Sequence, residues 1–144
     1  MKRSWSIETI TALLILLFAY TALSKLLNLR AFSIALEAVP ILKKNVAIIS
    51  WLLPVSELLI VLLLLLPATR TAGLYVSLIA LTIFTGYLIY MVLFLSELPC
   101  SCGGALNSLS WKQHIIFNLC FLIMNIGVLK VKNRAFPMTN RTPP

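Results

Sequence analysis

Acidic side chains are the first scarcity. This chain of 144 residues has four Glu and no Asp, and charged residues of both signs make up only 11%. A soluble domain carries about a quarter. The shortage excludes an ordinary water-soluble domain. Interruptions of the apolar runs are equally scarce, which excludes the alternating strands of a membrane β-barrel. Histidine occurs once, as His114, and cysteine three times. Pooled with Cys100 and Cys102, that one imidazole gives three metal ligands, one short of a closed site.

What is present is hydrocarbon. Hydrophobic residues make up 60% of the chain, and the mean hydropathy is +1.00. The excess is gathered in four runs, about 7–27, 46–66, 71–96 and 111–129. The third holds no charge, the second only Glu57, and the fourth none after Lys112. At about 1.5 Å per helical residue each crosses a hydrocarbon core of about 30 Å. The fold predicted is all-α: an integral membrane four-helix bundle over residues 1–130. The basic start and apolar stretch of "MKRSWSIETITALLILLFAYTALS" are expected to stay as the first span rather than leave as a signal peptide. Residues 131–144, "VKNRAFPMTNRTPP", read as a basic cytoplasmic tail without fixed structure.

The net charge of +8 does not point to nucleic acid. The basic residues are dispersed at the span ends, where Lys and Arg anchor a chain to lipid. Four spans put both termini on one side, with Lys2, Arg3, Arg70, Lys130, Lys132, Arg134 and Arg141. The opposite side has Lys25, Arg30, Lys43, Lys44 and Lys112. The larger basic share puts both termini in the cytoplasm, in a plasma (inner) membrane. Between the first two spans, Leu29, Phe32, Leu36 and Val39 recur at three- and four-residue steps. This predicts a short amphipathic interfacial helix, ended by Pro40.

The most polar connection holds "PCSCGGALNSLSWKQH", Pro99–His114. A disulfide between Cys100 and Cys102 would close a very small ring. Disulfide geometry admits that only with a sharply defined backbone, so the bond would be strained and reducible. It would constrain almost no chain, so it would make a poor staple. Redox chemistry is the reading this favours, with metal binding and two ordinary thiols as the alternatives. Ser110 and Gln113 form a capping-box pattern for the fourth span. Cys120, in the middle of that span, is expected to be a buried, inert small hydrophobe.

Glu57 falls about eleven residues into the second span, near mid-membrane. An acid there costs about 2.5–3.5 kcal/mol on insertion scales, so it is expected to face the bundle interior with a partner. Lys25 is the natural partner, unless it extends to the surface. Pro54 is expected to bend this span and free a carbonyl. His114, Asn118 and Asn125 share one stripe of the fourth span, and Thr21, Lys25 and Asn28 share a face of the first. With Tyr87 and Tyr90 these residues are candidates to line a polar chamber below the cysteines.

Taken together, "PCSCGG…LSW..H..FN", "ALSKLL" and "WLLPVSELLI" resemble the MauE family of methylamine utilisation membrane proteins, which is grouped with DoxX-like redox-associated proteins. The likeness spans about residues 10–130. It matches at Lys25, Pro54, Glu57, Cys100, Cys102, Gly103, Gly104, Trp111, His114 and Asn118. It implies service to a disulfide-rich exported protein beside a thioredoxin-like or other extracytoplasmic thiol partner. DoxX-like relatives are linked to quinone-associated electron transfer, which makes quinone the candidate cofactor. The reactive groups expected are Cys100, Cys102, His114 and Glu57, supported by Lys25, Asn118 and Tyr87, with no resident metal. With one cysteine pair plus Cys120, the chain is expected to need a redox partner. A non-enzymatic membrane assembly subunit and a metal-handling membrane protein are the rival readings.

Overall fold

Apolar residues this continuous have one way to satisfy their backbone in lipid, which is to hydrogen-bond within each segment as a helix. The computed structural model describes residues 2–37, 39–94 and 111–135. They form α1 (Lys2–Leu27), α2 (Leu29–Glu37), a 3-10 turn (Lys43–Asn45), α3 (Val46–Leu65), α4 (Arg70–Phe94) and α5 (Trp111–Ala135). There is no strand among the described residues. Among the described residues, four segments are long and apolar enough to cross a membrane: Trp5–Leu27, Lys43–Leu65, Arg70–Phe94 and Lys112–Arg134.

The long helices pack in a ring in the order α1, α3, α4, α5, closing back on α1. Consecutive members run in opposite directions. One end of the bundle therefore gathers Leu27, Val46, Phe94 and Trp111, and the other gathers Leu65 and Arg70. All four contribute to the core, which includes Leu14, Phe18, Ile60, Leu64, Leu74, Leu81, Val128 and Leu129. Only 22–28% of each span is buried inside the bundle. The exposed remainder is rich in Leu and Ile, such as Leu16, Ile48, Leu62, Ile83 and Ile123, which lipid chains cover and water would not.

Several hydroxyl groups in these helices are satisfied within their own turn, while that of Ser24 on α1 is buried without a partner. Thr11 donates to Ile7 O, Ser77 to Leu74 O and Thr85 to Leu81 O at 2.7–2.9 Å. The tight α3–α4 connection serves the last carbonyls of α3. Thr69 Oγ1 donates to Leu63 O at 3.0 Å and Arg70 Nε to Leu64 O at 3.3 Å. Gly73 lets the two backbones meet there. A Cβ at this position would stand 3.0 Å from Leu63 C and from Leu64 N, and backbone atoms cannot swing away. Gly73→Val is expected to destabilise the fold by about 1–3 kcal/mol, measured as a lower unfolding midpoint in detergent. Gly86→Ala, with open space around it, should change stability by under about 0.5 kcal/mol.

The amphipathic stripe on α2 is used for protein packing. Phe32, Ala35 and Leu36 are buried on α2, with Val39 just beyond it. Phe32 and Leu36 cluster with Val46 against Ile49 and Leu53 of α3. Leu29 is only half-buried. Pro54 sits buried inside a continuous α3, where its missing N–H leaves Ser50 O without the usual helical donor.

The fourth helix differs in length from its apolar run. It continues past Leu129 to Ala135, because its polar last turns find partners on α4. Lys132 Nζ donates to Thr71 Oγ1 at 2.5 Å and Asn133 Nδ2 to Tyr75 OH at 3.1 Å. Cys120 also differs: it is exposed on the outside of the bundle. A lipid-facing thiol is as apolar in setting as a buried one, so the run of residues around it carried no sign of its direction.

Candidate functional site

Lys25 and Glu57 meet. Lys25 Nζ lies 2.5 Å from Glu57 Oε1, and both side chains are about one-tenth exposed. α1 brings Lys25 in from two residues before its C-terminus, while α3 supplies Glu57 from its middle. The lysine stem therefore runs inward along the bundle instead of outward to water. Two aromatic faces flank its ammonium. The ring centre of Phe32 is 5.8 Å away and that of Phe84 is 5.6 Å away. Each face offers a cation about 0.5–2 kcal/mol of attraction. Three separate elements, α2, α3 and α4, thus hold one ammonium group.

The pair forms part of the wall of a cavity of about 390 Å³. Its lining is mostly apolar and aromatic, including Phe18, Phe84 and Phe117. Thr21, Lys25, Glu57, Tyr87, His114 and Asn118 supply polar groups. The cavity lies toward the end of the bundle where α1 finishes and α5 begins, with Phe32 and Leu36 of α2 also in its wall. Two of its buried atoms have no hydrogen-bond partner: Glu57 Oε2 and Asn118 Nδ2. Thr21 stands beside the carboxylate, and its hydroxyl also lies 3.2 Å from Phe18 O.

Several residues grouped by spacing do not reach this cavity. Asn125 faces the α4–α5 seam, where its Nδ2 donates to Ser77 Oγ at 2.8 Å and to Leu74 O at 3.3 Å. Asn28, between α1 and α2, turns back on α1 toward Ser24 O. Tyr90 stacks on Phe94 with ring centres 5.0 Å apart. Phe32 and Phe84 were not singled out as site residues. Phe32 carries a signal in the α2 stripe, which by its spacing reads as the apolar face of an interfacial helix. Phe84 carried none, since a Phe inside an apolar run is ordinary.

Cys100, Cys102, Gly103, Gly104 and Ser110 lie outside the described residues. Among the described residues, no three of His, Cys, Asp and Glu come together as a metal site would require.

The fold and the site define an all-α multi-pass membrane protein with a buried ion pair in the wall of an aromatic-lined cavity. The chain belongs to the family of methylamine utilisation protein MauE, whose family model matches residues 3–131. That match bears on the MauE part of the resemblance and not on the DoxX-like grouping. The chain matches no curated protein and no solved structure.

Proposed function

We propose that this chain is an integral membrane thiol-redox protein that serves the maturation of an exported partner. Cys100 and Cys102 cycle between disulfide and dithiol. In the oxidising direction a partner thiolate attacks their disulfide and forms a mixed disulfide. The partner's second thiol then displaces the cysteine, leaving a disulfide in the partner and two thiols at Cys100 and Cys102. Reoxidation returns two electrons and two protons to a quinone, giving the quinol, or to another membrane protein. The redox partner is a thioredoxin-like or other extracytoplasmic thiol protein, and the client is a disulfide-bearing exported protein. Both termini are cytoplasmic and the membrane is the inner one.

The observation that supports this reading most is the position of the cavity. Tyr87 is seven residues before the end of α4, and His114 three residues after the start of α5. Cys100 follows Phe94 by six residues in the sequence. At up to about 3.5 Å per residue it is tethered within about 20 Å of that helix end. That tether joins the thiol pair to the end of the bundle nearer the cavity, whose ion pair, His114 and Tyr87 are groups able to hold or pass protons. Glu57 and His114 act in that role, with Lys25, Asn118 and Tyr87 setting their surroundings.

Two experiments test the reading. A cysteine-free variant carrying Gly104→Cys should react with a membrane-impermeant thiol reagent in intact spheroplasts; reaction only after permeabilisation would reverse the orientation. Cys100→Ser and Cys102→Ser, expressed one at a time, should differ: the variant that loses the resolving thiol should accumulate a reducible mixed disulfide with the redox partner. Neither variant forming such an adduct would favour the assembly-subunit reading.

A further inference from the structure

The cavity contains an uncommon pair of deficits. Asn118 is 5% exposed and Glu57 8%, and each presents one unpartnered polar atom. Asn118 Nδ2 is a donor in want of an acceptor. Glu57 Oε2 is an acceptor in want of a donor, since Lys25 already donates to Oε1. An unserved buried polar atom costs about 1–3 kcal/mol, so two in one cavity favour an occupant that supplies both needs.

The surroundings narrow its chemistry. A cation meets the Lys25 ammonium, and an anion meets the Glu57 carboxylate, so the pair selects a neutral molecule. A molecule with only carbonyl oxygens serves Asn118 and sets its lone pairs against Oε2. A hydroxyl group both donates and accepts. Phe32, Phe84, Phe117 and Tyr87 line the space, which favours an aromatic ring. A volume of about 390 Å³ is in the range of small-molecule sites. Walls built from membrane-crossing helices favour a compound that arrives through lipid.

We propose that this cavity binds a neutral, lipid-soluble molecule whose aromatic ring carries a hydroxyl group, with that group donating to Glu57 Oε2 and accepting from Asn118 Nδ2. The proposal rests on the cavity and not on the cysteines. Where the ring is a hydroquinone, the occupant is the reduced form of the electron acceptor class named above.

The test uses the full chain in phospholipid nanodiscs and two probes, 4-decylphenol and 4-decylanisole. They share a ring and a tail, but the ether cannot donate. Thermal unfolding is followed against the mole fraction of each probe in lipid. The phenol should stabilise the protein with a half-saturating fraction at least about tenfold below that of the anisole, the effect of one well-made hydrogen bond. The variant Lys25→Met/Glu57→Leu, which removes the acceptor that only the phenol can serve, should bring the phenol close to the anisole, whereas Asn118→Leu, which removes a donor that both probes can accept from, should weaken both alike, and Cys120→Ser, on the lipid-facing side, should leave the preference intact. If Lys25→Met/Glu57→Leu does not fold, the comparison of probes on the unaltered chain decides alone. The double variant Cys100→Ser/Cys102→Ser should keep the preference, so failure of the thiol reading leaves this result standing. Equal stabilisation by the two probes, or none by either, would mean that water serves the two atoms and would overturn the proposal. Loss of the preference in the double cysteine variant would overturn its independence from the thiols.

Discussion

Lys25→Met is expected to destabilise the bundle by about 3–5 kcal/mol, the range for removing one partner of a buried ion pair. The substitution keeps most of the length and apolar volume of the side chain, so packing changes little. What it leaves is a carboxylate with Oε1 and Oε2 both unserved inside a largely apolar wall. It also removes the ammonium from between Phe32 and Phe84. Glu57→Leu alone should cost a similar amount by stranding the ammonium. The double variant Lys25→Met/Glu57→Leu should return to within about 1–2 kcal/mol of the starting protein, because a buried pair is often replaceable by hydrophobic residues of similar volume. Unfolding in detergent, followed for the four members of this cycle, checks the expectation. Additive losses would show that the two groups do not act as a unit. The double variant also separates folding from function: a protein that folds but no longer matures its client assigns the pair a working role, while normal maturation reduces it to helix packing.

The second large effect is expected at the cysteines. Cys100→Ser and Cys102→Ser should each lower client maturation to the level of cells lacking the chain. Membrane insertion should be unchanged, because four apolar helices hold the protein whatever the connection between α4 and α5 contains. Cys120→Ser should do little, since that thiol faces away from the bundle. Immunoblots of membranes and a non-reducing gel of the client measure both quantities. A serine variant that still matures its client at the normal rate would remove thiol chemistry from the account.

The spans were legible because a membrane helix announces itself by the lack of charge, and the four runs overlap the four long helices closely. The Lys25–Glu57 contact was legible for a related reason: within a charge-poor bundle, a mid-span acid has few possible counterparts. Inside and outside were much harder to tell apart. Lipid and core are equally apolar, so Cys120 gave no sign of which it faced, and Phe84 none of its place beside an ammonium. Asn125 shows the limit of angular arithmetic. It shares a stripe with His114 and Asn118, but α5 touches both α1 and α4, and farther along the helix that stripe meets Ser77 instead of the cavity. The end of α5 was missed because the apolar run stops where the hydrocarbon does, while the helix goes on to bond Thr71 and Tyr75.

The central claim is reversible thiol chemistry at Cys100 and Cys102. It is tested most directly by alkylating membranes equilibrated across a series of thiol redox buffers and reading the number of free thiols by gel shift, in a chain carrying Cys120→Ser. The account predicts one reversible two-electron transition, with both thiols lost together and recovered together. Its midpoint should lie above about −300 mV, the level below which structural disulfides typically fall. Two thiols that stay free under every oxidising buffer, in a protein that still matures its client, would contradict it.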